Sequence, residues 1–266
     1  MAVRSVRGLE MAYEEAGRGV PFVLLHGFPF NRTLWREQLE PLAATHRVVT
    51  PDLRGFGETS VGQEDAATME EMARDVAALM DELRIERAIL GGLSMGGYVA
   101  LAFCRLFSRR VRALVLADTR AQSDSEEGRA NREVMARRAL DEGMGAIAEE
   151  MMPKLLAPAT HMKNPQAVSR VRDMILSTKP EAAAAALRGM AVRQDHTNWL
   201  QNVLQPTLIV VGSEDQLTPP ADSETMRGEI RGSRLEVIEG AGHVANVERP
   251  KEFNAALTKF LKDLQP

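Results

Sequence analysis

Short apolar runs alternate with helical patterns along most of this chain, and this alternation narrows its possible folds more than any other feature. Several runs lack the in-and-out pattern of a half-buried strand, which is typical of strands covered on both faces of a parallel sheet. Strand alternating with helix therefore predicts an α/β fold with a doubly wound, mostly parallel sheet. The predicted strands are Val20–Leu25, Arg47–Thr50, Ala88–Leu90, Val111–Ala117, Thr207–Val211 and Leu235–Ile238.

Helical patterns lie between these runs and complete the alternation. The segment Val3–Glu14 is expected to add an antiparallel pair at one edge of the sheet. The predicted helices are Thr68–Leu83, Met95–Phe107, Ala221–Glu229 and Pro250–Leu264.

Residues 122–204 break the alternation, because they contain no convincing strand but have helical patterns over Glu126–Leu140 and Glu181–Met190. We predict that they form a helical cap inserted into a core of residues 1–121 and 205–266. Methionine suits adaptable apolar surfaces, and we expect the methionines of this segment to fill its core more often than to line a pocket. They are Met144, Met151, Met152, Met162, Met174 and Met190.

Composition and charge exclude several classes of protein. A chain of 266 residues with 44% hydrophobic and 26% charged residues has the composition of a globular protein with a real core. Its net charge of −4 gives no reason to expect a nucleic-acid partner. No apolar run approaches the about 18 residues of a membrane span, and we see no secretory signal. We expect a soluble cytoplasmic protein without membrane association, in which the single cysteine, Cys104, is a buried, unreactive thiol.

The segment Gly92-Leu93-Ser94-Met95-Gly96-Gly97 follows a predicted strand and precedes a predicted helix. This is the context of a G-x-S-x-G nucleophile elbow, a tight turn that holds its serine in a strained conformation. Side chains larger than glycine on either flank would collide. A serine at a helix N-terminus also lies near free amides that favour a developing negative charge. Ser94 is therefore the candidate nucleophile.

A serine hydroxyl needs a base within hydrogen-bond reach and a third group that orients this base. Of the five histidines, His243 follows the last predicted strand in a Gly-rich loop and is the expected base. The acid is expected at the carboxyl end of a strand between Ser94 and His243. Asp215 is favoured, and Asp118, which also follows a predicted strand, is the alternative.

Acyl transfer also needs N–H donors for the oxyanion, and backbone amides supply them without a side-chain signature. We expect these donors to be the amides of Met95, which follows the candidate nucleophile, and of Phe28, in the loop after the first buried strand. His26 is expected to hold that loop by hydrogen bonds.

Several charged residues are candidates for substrate binding. Asp52 and Arg54 are expected to fix a turn instead. For Arg193 and Asp195 two alternatives stay open: the side chains pair with each other, or they face the pocket.

With Ser94, Asp215 and His243 in this order, the sequence resembles the α/β-hydrolase superfamily over essentially its whole length, and bacterial carboxylesterases and 3-oxoadipate enol-lactonases in particular. The resemblance implies a mostly parallel eight-stranded sheet flanked by helices, an inserted helical cap, and no cofactor. The matching motifs are HGFP at His26–Pro29, PDLRGFGET at Pro51–Thr59, GLSMGG at Gly92–Gly97, VVGSEDQLTPP at Val210–Pro220 and GAGHVANVERPKEF at Gly240–Phe253.

The function expected from these observations is hydrolysis of a small carboxylic ester or lactone through an acyl-enzyme intermediate, with no metal and no cofactor. Because the superfamily hosts many activities, two alternatives stay open: a slow or non-catalytic ligand-binding or signalling protein, and a carbon–carbon bond hydrolase. Peracid formation stays open as a side activity, because perhydrolases and cofactor-free haloperoxidases share the serine triad. Haloalkane dehalogenases and epoxide hydrolases are disfavoured, because they have aspartate where this chain has Ser94. The sequence gives no prediction of the oligomeric state.

Overall fold

Eight strands form one sheet in the structure, a computed structural model that describes residues 1–264. They are β1 (Ala2–Val6), β2 (Leu9–Ala16), β3 (Val20–Leu25), β4 (His46–Pro51), β5 (Ala88–Leu93), β6 (Val111–Ala117), β7 (Thr207–Gly212) and β8 (Arg234–Ile238).

The strand order is β1-β2-β4-β3-β5-β6-β7-β8. The hairpin of β1 and β2 pairs antiparallel with β4, and every later pairing is parallel. No residue of β5, β6 or β7 is exposed, because helices cover both faces of the sheet there. The predicted mostly parallel eight-stranded sheet, with its antiparallel edge pair, is confirmed.

Helices fill the connections between the parallel strands. They are α1 (Arg36–Ala43), α2 (Met69–Glu82), α3 (Met95–Leu106), α4 (Glu126–Glu142), α5 (Met144–Leu155), α6 (Pro158–Lys163), α7 (Pro165–Leu176), α8 (Pro180–Ala191), α9 (Pro220–Glu229), α10 (Ala245–Glu248) and α11 (Pro250–Asp263).

Side-chain caps fix where two of these helices begin. The Thr68 side chain accepts the N–H of Glu71 at the start of α2, and the Ser125 side chain accepts that of Gly128 at the start of α4. The sequence did not predict α1, which contains Pro41, or the single turn of α10. Within residues 1–264, no helix combines the length and apolarity needed to cross a membrane.

Between β6 and β7 the described chain forms only helices, namely α4 to α8 and a 3₁₀ helix at Thr197–Asn202. We call α4 to α8 the helical segment. Its methionines have different roles. Met144, Met152 and Met174 are buried among apolar neighbours, whereas Met162 is 75% exposed.

The strand β5 continues through two glycines to Leu93, beyond the predicted end at Leu90. Glycine is a poor strand former, so the sequence pattern indicated a turn there. In the fold these glycines are needed for close packing: a Cβ on Gly91 would lie 2.7 Å from the Leu24 side chain on the adjacent strand.

The helix α3 that follows carries Cys104, which is buried as predicted, and burial raises the pKa of its thiol to about 12.

Candidate active site

The turn between β5 and α3 holds Ser94 in a conformation that few side chains adopt. Its φ is 53° and its ψ is −116°, outside the regions favoured by residues other than glycine. The flanking glycines make this turn possible, as the sequence predicted. A Cβ on Gly92 would lie 2.1 Å from the carbonyl oxygen of Gly96, and one on Gly96 would lie 2.2 Å from that of Leu25. The Ser94 side chain therefore stands at the carboxyl edge of the sheet.

The structure brings Ser94, His243 and Asp215 together. The Nε2 of His243 lies 2.8 Å from Ser94 Oγ. Its Nδ1 lies 3.0 Å and 2.9 Å from the two carboxylate oxygens of Asp215. Both the imidazole and the carboxylate are almost fully buried, which strengthens the interaction between them by excluding water. This chain of hydrogen bonds has the geometry that activates a serine hydroxyl.

Asp215 is held by donors from its own loop. Its Oδ1 accepts the backbone N–H groups of Leu217 at 2.8 Å and Thr218 at 3.0 Å, and its Oδ2 accepts the Thr218 hydroxyl at 2.7 Å. Burial alone would raise the pKa of this carboxyl, but the charge and hydrogen bond of His243, together with the Thr218 donors, outweigh burial and lower the pKa below its ordinary value. Asp215 is therefore an anion at neutral pH.

Asp118, the alternative acid, lies at the end of β6 but has other partners. Its Oδ1 accepts the N–H of Gly212 at 2.8 Å, and its Oδ2 accepts that of Ala245 at 3.4 Å. Complete burial, and then the nearby charge of Asp215, raise the pKa of Asp118 well above its ordinary value. Asp118 thus ties the end of β7 to the helix that follows His243, and makes no hydrogen bond with the imidazole itself.

The loop that carries His243 packs tightly against its neighbours. A Cβ on Gly212 would lie 2.1 Å from the carbonyl oxygen of Gly242, so only glycine allows this approach. The buried carboxylate of Glu248 accepts the N–H of Gly242 at 2.7 Å and that of Ala157 at 2.9 Å. Burial raises the pKa of Glu248 despite these bonds. Through Glu248, the His243 loop is fixed to the turn between α5 and α6 of the helical segment.

The candidate oxyanion donors lie on either side of Ser94. Met95 begins α3, and Phe28 lies in the loop after β3. Among residues 1–264 neither backbone N–H has an acceptor. A Cβ on Gly27 would lie 3.2 Å from Ser94 Cβ, so glycine is what lets the Phe28 loop approach the serine.

His26 holds this loop to the next one, as the sequence predicted. Its Nε2 accepts the N–H of Leu53 at 2.9 Å, which leaves Nδ1 to donate to the carbonyl of Gly27 at 2.9 Å. Burial lowers the pKa of His26, so the ring is neutral and keeps this donor-acceptor arrangement.

Asp52 fixes a turn of the PDLRGFGET segment, as expected, whereas Arg54 ties the segment to α2. Asp52 forms an ion pair with Arg32 and accepts the backbone N–H of Glu58 at 2.9 Å. Arg54 does not bind Asp52; its guanidinium donates to both carboxylate oxygens of Asp75, at 2.8 and 2.9 Å.

Arg193 and Asp195 do not pair with each other, which was one of the two alternatives left open by the sequence. Arg193 pairs with Asp124 at 2.8 Å and stacks over the Tyr98 ring, with its guanidinium carbon 4.4 Å from the centroid. Asp195 instead accepts the backbone N–H of Thr197 at 2.8 Å.

A cavity of about 160 Å³ lies above Ser94, between the sheet edge and the helical segment. Apolar side chains and charged side chains share its wall. Its lining residues are Phe28, Ser94, Tyr98, Arg120, Arg132, Met135, Glu150, Met151, Lys154, Met190, Leu217, Thr218 and His243.

Comparison with known proteins shows the family of the chain. The family model described as the alpha/beta hydrolase fold matches residues 20–250, which is most of the chain. The chain belongs to the alpha/beta hydrolase fold family.

Several relatives of this alpha/beta hydrolase have named activities. It is 29% identical to 3-oxoadipate enol-lactonase 1 of Acinetobacter baylyi over 232 residues, 87% of this chain and 85% of that protein. It is 43% identical to a thermophilic esterase from Thermogutta terrifontis, solved with malate bound, with a TM-score of 0.96 and coverage of 100% of this chain and 99% of that one. The enol-lactonase from Burkholderia xenovorans is 28% identical, with a TM-score of 0.91 and coverage of 98% and 100%.

The sequence did not identify most of the residues that line the cavity of this alpha/beta hydrolase. Thr218, which bonds to Asp215 and lies 3.3 Å from His243 Nδ1, gave no signal beyond its position three residues after the candidate acid. Of the methionines singled out in the helical segment, Met151 and Met190 line the cavity, and Met135 joins them. Helix periodicity does not tell a residue that faces a cavity from one that faces the core.

Proposed function

We propose that this alpha/beta hydrolase is a serine hydrolase that cleaves small carboxylic esters or lactones. The observation that carries the proposal is the continuous hydrogen-bond chain from Ser94 Oγ through His243 to Asp215, with Ser94 and His243 lining a cavity. Relatives named esterase and enol-lactonase support the same reaction class.

In the proposed mechanism, Ser94 Oγ attacks the substrate carbonyl while His243 Nε2 takes the hydroxyl proton. Asp215 accepts the Nδ1–H of His243, so that Nε2 is left unprotonated and able to act as the base. The tetrahedral intermediate places its oxyanion against the free N–H groups of Phe28 and Met95. His243 then gives its proton to the leaving oxygen, and an acyl-enzyme is left on Ser94.

Water completes the cycle by a second round of the same steps. His243 Nε2 takes a proton from a water molecule, whose oxygen attacks the acyl carbonyl of the Ser94 ester. Collapse of the second tetrahedral intermediate releases the acid and restores the Ser94 hydroxyl. Every proton is moved by the imidazole, so the proposed reaction needs neither a metal nor a cofactor.

We further propose that residues 122–204 act as a cap on a core of residues 1–121 and 205–266. Their helices supply much of the wall of the cavity that Ser94 lines, including Met135 and Met151. A cap that closes the site excludes water and limits the size of the substrate. The expected partner is thus a small molecule.

The test is labelling and turnover with matched variants. The wild-type protein should release a burst of nitrophenol from p-nitrophenyl butyrate, and a fluorophosphonate should add its mass to the peptide containing Ser94. Ser94→Ala should lose both signals, whereas Ser169→Ala, at a serine on α7 away from the cavity, should keep both. A folded wild-type protein that binds the esters without burst or label would instead be a binding protein on this fold.

A further inference from the structure

Positively charged side chains are concentrated in the wall of the cavity that contains the candidate nucleophile. Arg120, Arg132 and Lys154 all line the cavity that contains Ser94, and Glu150 is the only acidic residue among the lining residues described. The chain as a whole has a net charge of −4, so this concentration of cations is a local feature of the site.

The arginines of this group share a single carboxylate. Asp124 lies 2.7 Å from Arg132, 2.8 Å from Arg193 and 3.1 Å from Arg120. Burial alone would raise the pKa of Asp124, but the hydrogen bonds and charges of Arg193 and Arg132 outweigh it and hold the pKa well below its usual range. One buried anion thus neutralises only part of the charge of three guanidinium groups.

Other acidic groups nearby do not complete the neutralisation. Arg120 also lies 3.9 Å from Asp222, a distance at which the interaction is weak. Glu150 binds Arg138 at 2.9 Å, and Arg138 also binds Glu142 at 3.2 Å. The cations of this cluster outnumber its carboxylates. The five cations are Arg120, Arg132, Arg138, Lys154 and Arg193, and the four carboxylates are Asp124, Glu142, Glu150 and Asp222.

Lys154 is the least engaged member of the cluster. It lies in the last turn of α5, and among residues 1–264 it has no carboxylate within 4.0 Å. Glu150, one helical turn earlier, is the natural partner for an i,i+4 pair, but it is held by Arg138. The ammonium of Lys154 is therefore available to an anion that enters the cavity.

We infer that the cavity takes an ester or lactone that carries a separate carboxylate, and that Lys154 and Arg132 bind this carboxylate while the scissile carbonyl lies at Ser94. The inference rests on the proposed function and specifies its substrate class. A guanidinium donates in a fixed plane that matches a carboxylate, and an ammonium adds a second, adjustable donor. The volume of about 160 Å³ leaves room for only a short chain between the two groups.

Two pairs of esters test the inference, because the carboxylate can lie on the acyl or on the alcohol side. Monomethyl glutarate is compared with methyl pentanoate, and 3-acetoxypropanoate with propyl acetate, by pH-stat at low ionic strength. In at least one pair we expect kcat/KM to favour the anionic ester by about tenfold, the strength of one charge-assisted hydrogen bond. Added salt should reduce that preference, since exposed charges are screened.

Substitutions then test whether the cations cause the preference for the anionic ester. Lys154→Met should lower the ratio of anionic to neutral kcat/KM by about tenfold. Arg132→Gln should also lower this ratio. It is the less direct test, because Arg132 also binds Asp124. Lys163→Met, at an exposed lysine that ends α6, is the matched control and should leave the ratio unchanged.

The outcomes separate this inference from the proposed function. If the neutral esters are cleaved and Ser94 is labelled by fluorophosphonate, but the anionic esters show no preference or Lys154→Met does not change it, the inference is overturned and the proposed function stands. If no ester is cleaved and Ser94 is not labelled, the proposed function itself fails.

Discussion

Replacing Asp215 with asparagine tests the assignment of the acid most directly, because the structure fixes how the amide must lie. Oδ1 accepts two backbone N–H groups, those of Leu217 and Thr218, so the oxygen of the new amide has to occupy this position. The amide NH₂ is then directed at the Nδ1 of His243, where Oδ2 of Asp215 lies at 2.9 Å in the native protein.

An NH₂ group at this position can only donate, so Nδ1 of His243 must become an acceptor and its proton must move to Nε2. A protonated Nε2 cannot take the proton of Ser94, 2.8 Å away. In a serine protease triad the same change lowers kcat about 10⁴-fold, which corresponds to about 5 kcal/mol of transition-state stabilisation. We expect Asp215→Asn to lose activity on this scale.

Asp118→Asn is the matched control, because it makes the same chemical change to a neighbouring buried carboxyl. An amide oxygen can keep the 2.8 Å bond from Gly212, and the bond it would disturb, from Ala245, is 3.4 Å long and therefore weak. The imidazole is not touched, so we expect kcat to fall by no more than about tenfold.

Both variants are assayed with p-nitrophenyl butyrate, and circular dichroism establishes that both are folded. A dead Asp118→Asn protein beside an active Asp215→Asn protein would refute the reasoning and place the acid at the end of β6.

Two further predictions concern the cavity and its arginines. We expect p-nitrophenyl acetate and butyrate to have higher kcat/KM than the palmitate, because a cavity of about 160 Å³ cannot enclose a sixteen-carbon chain; equal efficiency for palmitate would contradict a substrate site of this size. We expect Asp124→Asn to lower the free energy of unfolding by about 3 kcal/mol at pH 7, since it leaves the guanidinium groups of Arg132 and Arg193 without their buried anion. Because the pKa of Asp124 is lowered from 3.8, this stabilisation is complete above that pH and is lost as the pH falls further. Urea titrations should therefore show a larger difference in the free energy of unfolding between the wild type and Asp124→Asn at pH 7 than at pH 3. A variant as stable as the wild type at pH 7 would show that the arginines do not depend on Asp124.

The sequence was sufficient for the main features of the fold, because these depend on local patterns. Val20–Leu25 and Val111–Ala117 were predicted with the boundaries that the structure has, since both are short, mainly apolar runs of the kind that a parallel sheet buries on both faces. The elbow was predictable for a similar reason: its glycines are required by steric contacts in and around the turn itself. Where the pattern was weak, as in α1 with its internal proline, the element was missed.

The candidate residues Ser94, Asp215 and His243 were all selected from the sequence, because each follows a strand and parallel strands present their ends at one edge. Their roles as nucleophile, acid and base, and the division into core and cap, stay predictions that the experiments above address. From the sequence, the choice of Asp215 over Asp118 as the acid rested only on the turn residues next to each aspartate.

Tertiary structure alone decided which partner each charged side chain has. Only the folded chain shows that Asp118 is occupied by the N–H of Gly212, 94 residues later, and that Arg193 meets Asp124 and not Asp195. The lining of the cavity also depends on the tertiary fold, since α4 and α5 bring Arg132 and Lys154 to the same cavity as Ser94, the candidate nucleophile between β5 and α3. Hydrophobic periodicity determines which side of a helix is buried, but it carries no information on which distant element covers that side, and charge pairing depends on that placement.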